Sequence, residues 1–185
     1  MTFSMSDMFI IDCSLNPDSK GRRVFKKIIE EHKDLMPIDL VDYPLPHCNG
    51  WGQSAFADHN VKTLHDKLLP AKGLLFVSPV YNWDMSSVTK NFMEMLGTPY
   101  EKNNITGQVF HHKVIGIIAV SGSHNSFLAP LGLLNSFMVD FQSFIVPKHT
   151  LVAKDDFQKD GSFDMTHVNE TLMYFKKMVQ KLGTW

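Results

Sequence analysis

A chain of 185 residues, 44% hydrophobic and 20% charged, lies in the range of one globular domain with a full core. Eighteen basic against nineteen acidic residues give a formal net charge of -1, so no global field marks nucleic acid or an anionic membrane as the partner. Two cysteines outside any CxxC pair argue against a disulfide scaffold, and the absence of a basic leader points to a cytoplasmic protein with neither signal peptide nor membrane span.

Short apolar runs at 8–11, 38–41, 74–80, 114–120 and 144–146 alternate with amphipathic segments. That alternation predicts one α/β domain over residues 1–185, with a five-stranded parallel sheet and helices on both faces. The first run leads into CSLNPDSKGRR at 13–23 and then a helix marked by Val24, Phe25, Ile28 and Ile29. The third run ends in PVYNW at 79–83, and Val88, Phe92, Met95 and Leu96 mark the helix that follows. The fourth, VIGIIAV, is apolar at every position but its glycine and reads as an interior strand; Pro147 places the fifth at an edge. A last helix carries Val168, Leu172, Phe175, Val179 and Leu182 on one stripe. Segments 44–57, 98–112 and 153–164 lack periodicity and read as long loops.

A doubly wound sheet binds ligands at the carboxyl ends of its strands, so the stretches after strands one, three and four should converge. In the first, Ser14 and Ser19 offer hydroxyls before a helix N-terminus, and Lys20, Arg22 and Arg23 add positive charge. Asp18 or Ser19 would also serve as an ordinary helix cap. A nucleotide P-loop needs two glycines here and finds one, and a phosphatase-type C-x5-R fails because residue 19 is serine, so Cys13 is expected to be a packed side chain. In the second stretch, Pro79, Val80, Tyr81, Asn82 and Trp83 combine backbone amides with an aromatic wall suited to a flat ring, while Asp84, Ser86 or Ser87 caps the next helix. In the third, Ser121, Gly122 and Ser123 permit close backbone approach to a ring edge, and His124 stands beside them. On a strand, His111 and His112 would point to opposite sides, which argues against a metal centre.

These stretches resemble the NAD(P)H-dependent FMN reductases, flavodoxin-like proteins that include flavin, quinone, chromate and azo-dye reductases. The family pattern P-x-Y-N-x-S-x-x-G-x-L-K-N-x-x-D-x-L is met in register by Pro79, Tyr81, Asn82, Lys90 and Asn91, and G-S-x-R-x-x-S by Ser14 and Ser19. Cys13 and Asn16 stand where the family has glycine and arginine, and Asp18 adds a negative charge. The resemblance implies a flavodoxin-like three-layer sandwich of strand order 2-1-3-4-5. It implies FMN with its phosphate on residues 14–20, including Ser14, Asn16, Ser19 and Lys20, its ring against 79–83, and its pyrimidine edge near 121–124. It further implies hydride from NADPH or NADH passed through FMN to a small-molecule acceptor, with no catalytic side chain required. A homodimer or homotetramer is expected, with Trp51, Phe56 and Tyr100 walling the flavin. The other readings are an electron carrier, which near-zero net charge disfavours, and a non-catalytic flavin- or nucleotide-binding sensor.

Overall fold

A computed structural model describes residues 8–50, 54–97 and 108–182; Trp51 and Tyr100 lie outside them. Its elements run β1 (Met8–Asp12), α1 (Lys20–Glu31), β2 (Met36–Asp39), α2 (His59–Leu68), β3 (Gly73–Tyr81), β4 (Asp84–Met85), α3 (Ser87–Gly97), β5 (Val114–Ser121), α4 (Leu131–Asp140), β6 (Phe144–Ile145), β7 (Thr150–Ala153) and α5 (Thr166–Leu182). The parallel sheet has the order β2-β1-β3-β5, closed by β6 and β7 on the outer edge of β5. This is the expected 2-1-3-4-5 arrangement, with the fifth place filled by two short strands. β6 pairs with residues 114–115 and β7 with 118–121; between them lies Pro147, which has no N–H for a ladder.

Side-chain alternation along each strand supplies the two faces. Phe9, Ile11, Leu74, Phe76, Ile115 and Ile117 pack with α2, α3 and α4, while Met8, Ile10, Leu75, Val77, Val114 and Ile118 pack with α1 and α5. On the first face Phe76 lies 5.9, 6.5 and 5.4 Å from the rings of Phe92, Phe110 and Phe137. On the second, the glycine in VIGIIAV has a packing cause: a Cβ at Gly116 would lie 2.8 Å from Leu75 and 3.3 Å from Phe175.

Three local expectations are corrected. β2 begins two residues earlier than its apolar run, because Phe9 through Asp12 pair with 36–39, and Leu40 and Val41 fall beyond the strand. The stretch after β3 first forms a hairpin, with β4 antiparallel to β3, before α3 begins. His111 and His112 sit in a turn where the positive φ of His112, 57°, brings both rings to one side; they stack at 3.9 Å, each 3.2 Å from Gln142 Oε1.

Candidate functional site

At the end of β1 the chain turns through residues 13–19 into α1. Ser19 is the helix cap, its Oγ accepting from Arg22 N–H at 3.1 Å. Its hydroxyl also lies 2.6 Å from that of Ser14, so both hydroxyls share one point above the helix N-terminus. Asn16 shapes the loop: Oδ1 accepts from Asp18 N–H at 3.0 Å and its carbonyl accepts from Ser19 N–H at 3.1 Å. Asp18 is exposed. The N–H groups of Leu15, Asn16, Lys20 and Gly21 meet no acceptor among the described residues, as expected for a loop and first helical turn. Cys13 is buried beneath, where burial pushes its thiol up and away from reactivity.

The charges around this loop are arranged differently from their order in sequence. Arg22 does not face outward as an added positive charge. It is buried, its guanidinium hydrogen-bonded to both oxygens of Asp39 at the end of β2 and, through Nη2, to the Ser14 carbonyl at 3.0 Å. Asp12, fully buried at the end of β1, accepts from Ser14 N–H at 2.9 Å through Oδ1. Its Oδ2 lies 3.3 Å from Arg22 Nε, yet neither atom completes a hydrogen bond among the described residues. The two carboxyls therefore diverge. Burial raises that of Asp12 to about 6, outweighing the Ser14 N–H bond and the Coulombic pull of the nearby guanidinium. Burial also raises that of Asp39, but the Arg22 hydrogen bonds and Val41 N–H outweigh it and hold it below its usual range. Neither carboxylate was singled out as a site residue in the sequence, where Asp12 only ends the first apolar run and Asp39 lies inside the second.

The second loop is the tip of the β3–β4 hairpin. Asn82 and Trp83 both have positive φ, 51° and 66°, as in a type I′ turn. Asparagine tolerates that region; tryptophan pays about 1–2 kcal/mol there. Tyr81 and Trp83 are nevertheless 59% and 68% exposed, so packing does not explain the strain. Below the tip, Thr89 Oγ1 lies 2.5 Å from Ser78 Oγ and 2.9 Å from Ser86 Oγ, and Ser86 caps α3 by accepting from Thr89 N–H. This buried hydroxyl cluster fixes the strand end against the helix start.

Between these loops opens a cleft of about 370 Å³, lined by Cys13, Leu15, Asn16, Pro79, Tyr81, Ser86 and Val88. The third loop stands at the same end of the sheet, where Val120 is in register with Pro79, but does not line that cleft. Ser121 Oγ donates to the Ser123 carbonyl at 2.6 Å, Ser123 caps the turn at 124–126, and His124 Nε2 lies 2.9 Å from Asp156 Oδ1. A Cβ at Gly122 would meet nothing within 4 Å among the described residues, so none of these demands glycine there.

Other expected residues serve elsewhere. Lys20 Nζ lies 5.7 Å from the Phe157 ring centroid. Asn91 clamps the long loop after β2, accepting from Cys48 N–H at 2.8 Å and donating to the Pro46 carbonyl at 2.9 Å. Phe56 is fully buried in the core against α2 and walls no open site.

Comparison with known proteins adds independent findings. The model of the family described as NADPH-dependent FMN reductase matches residues 7–158. An NAD(P)H-dependent FAD/FMN reductase of Geobacillus thermodenitrificans is 23% identical over 137 residues, covering 74% of this chain and 69% of that protein. Among solved structures, FerB, a flavoenzyme NAD(P)H:(acceptor) oxidoreductase from Paracoccus denitrificans, superposes with a TM-score of 0.70 at 20% identity, covering 96% and 97% of the two chains. An NADPH-quinone reductase from P. pentosaceus gives 0.59 at 17% identity, covering 92% and 95%. At such identities the superpositions establish the fold alone.

Trp83→Gly relieves the positive-φ strain while removing few contacts. It is expected to raise stability by about 1 kcal/mol in urea unfolding, and a loss of stability would show that the indole is held by packing.

Proposed function

The chain belongs to the NADPH-dependent FMN reductase family, and from that premise we propose that it passes reducing equivalents from NADPH or NADH through FMN to a small flat acceptor such as a flavin or quinone. The observation that carries this reading is the cleft between residues 13–16 and 79–88, at the carboxyl ends of adjacent parallel strands β1 and β3. The residues present suit a flat group bearing a phosphate. Ser14 and Ser19 pair their hydroxyls at a helix N-terminus, Gly122 leaves room for close approach, and Pro79 and Tyr81 bound an open slot.

When bound, FMN supplies the two-electron chemistry that the side chains of this site lack. Ser14, Asn16 and Ser19, with the free loop amides, that of Lys20 among them, would bind its phosphate. Pro79, Val80, Tyr81, Asn82 and Trp83 would orient its ring, with the Thr89 hydroxyl cluster holding that segment in place. Ser121, Gly122, Ser123 and His124 would meet its polar edge, His124 being braced by Asp156. The exposed indole of Trp83 would stack on an incoming acceptor and exclude water from it. No side chain is assigned a catalytic role, because the protein's part is binding, orientation and exclusion of solvent.

A homodimer or homotetramer belongs to the same proposal. With Phe56 buried, its support is now the exposed apolar surface of Phe127, Leu128, Leu131, Met138 and Val139 along and before α4. Light scattering is expected to give at least twice the monomer mass, and a monomer with full FMN occupancy would remove this part. No helix among the described residues is long and apolar enough to cross a membrane.

Replacing Ser14 and Ser19 together by alanine is expected to weaken FMN binding by about tenfold or more in a fluorescence titration, with riboflavin affinity little changed. Equal loss for both ligands would move the phosphate elsewhere. With the unmodified protein, rapid FMN-dependent NADPH or NADH oxidation in the presence of a quinone supports the reductase; bound FMN without nicotinamide oxidation would leave a non-catalytic binding protein.

A further inference from the structure

Arg22, Lys20 and Arg23 are the cations closest in sequence to the first loop, and the described side-chain neighbours of Lys20 and Arg23 lie away from it, while Arg22 is spent beneath it. Arg22 is hydrogen-bonded to Asp39 and to the Ser14 carbonyl, and the Lys20 ammonium lies over Phe157. The Arg23 guanidinium lies against Gly161, where a Cβ would come within 2.8 Å of Nη1. One guanidinium thus serves two carboxyl groups, Asp12 and Asp39, and with both ionised the cluster under the loop carries one net negative charge. A phosphate bound at Ser14 and Ser19 would add its own charge directly above, since Asp12 Oδ1 is 2.9 Å from the Ser14 nitrogen.

We infer that Asp12 takes up a proton from solvent when the phosphate of FMN binds in the first loop, so that the cluster beneath becomes neutral. The inference rests on the FMN reading of the site and concerns a positioning residue, because Asp12 acts through Ser14. Oδ1 is occupied by Ser14 N–H, so the proton belongs on Oδ2, the buried oxygen with no hydrogen bond among the described residues. In balance, the ionised protein, the phosphate dianion and one solvent proton give the neutral-Asp12 complex.

The groups facing Asp12 set the direction. The Ser14 N–H bond, then Arg22 and Lys26 of α1, favour the ionised carboxyl, Asp39 of β2 opposes it, and β3 presents uncharged Val77 alongside. Cys13 stays a neutral thiol. Burial dominates these and places the free-protein carboxyl near 6; a dianion nearby raises it further. The phosphate complex therefore holds the proton to higher pH than the free protein does. Affinity falls as pH rises through 6 toward the value in the complex, where the proton is scarce. The second ionisation of the phosphate, also near 6, runs the other way and is common to every variant.

Calorimetric titration with FMN at about pH 7, in two buffers of different ionisation enthalpy, is expected to show net proton uptake by the unmodified protein, and riboflavin to show none. Asp12→Asn should abolish the uptake, and the ratio of wild-type to variant Kd should grow about tenfold between roughly pH 5.5 and 8. FMN binding without proton uptake, or equal uptake with riboflavin, overturns the inference while leaving FMN as the cofactor. No FMN binding at any pH overturns the cofactor reading as well. The wild-type calorimetry decides the matter even where Asp12→Asn does not fold.

Discussion

The guanidinium of Arg22 is the contact on which the upper end of this fold depends. It reaches from α1 to the last residues of β1 and β2 and to the carbonyl of the loop between β1 and α1, so one side chain joins four pieces of backbone. Breaking such a buried group away from its partners costs about 3–5 kcal/mol, far above the worth of an exposed ion pair such as Lys27–Glu31. With Ser14 held at both its N–H and its C=O, the loop keeps its shape before any ligand arrives. Preorganisation of this kind lowers the ordering cost of binding. Its counterpart is electrostatic: a residue spent on holding the loop cannot also neutralise an anion in it.

The second loop follows a different logic. The Ser78, Ser86 and Thr89 hydroxyls close a polar cluster inside the protein, which rigidifies the junction of β3 and α3. On that base stands a turn with two consecutive positive-φ residues, the second a tryptophan left in solvent. Strain without compensating packing marks a position kept for what it presents outward. Together the two loops border one cleft, with Cys13, Leu15 and Asn16 on one side and Pro79 and Tyr81 on the other, a mostly apolar slot with few polar groups of the kind that suits a flat ligand.

Much of this was legible in the chain itself. Unbroken apolar runs marked the interior strands because a parallel sheet buries both faces, and stripes such as Val168 to Val179 marked helices because packing demands one apolar side. The loops that form the cleft were identified from small, hydroxyl and aromatic residues at strand ends. What escaped were features set by long-range contact. The Arg22 pairing with Asp39 spans 17 positions and inverts the electrostatic role that its sequence neighbours suggested. The break between β6 and β7 depends on how far β5 extends beside them. Asn91 matched a family position, yet its contacts are with the carbonyl and amide of a loop more than forty residues away. Periodicity and spacing carry no information about such partners.

A crystal structure of the chain with FMN would show directly whether these two loops hold the flavin. The phosphate is expected on residues 14–20, over the Asp12, Arg22 and Asp39 cluster, with the ring against residues 79–83. Two other clefts offer the contradicting result. One is the apolar groove of Tyr43, Leu45, Val88 and Asn91, and the other the basic cleft of Arg23, Lys26 and Lys159. A ring seated in the first, or a phosphate in the second, would mean that the hydroxyl pair and the strained hairpin serve another ligand.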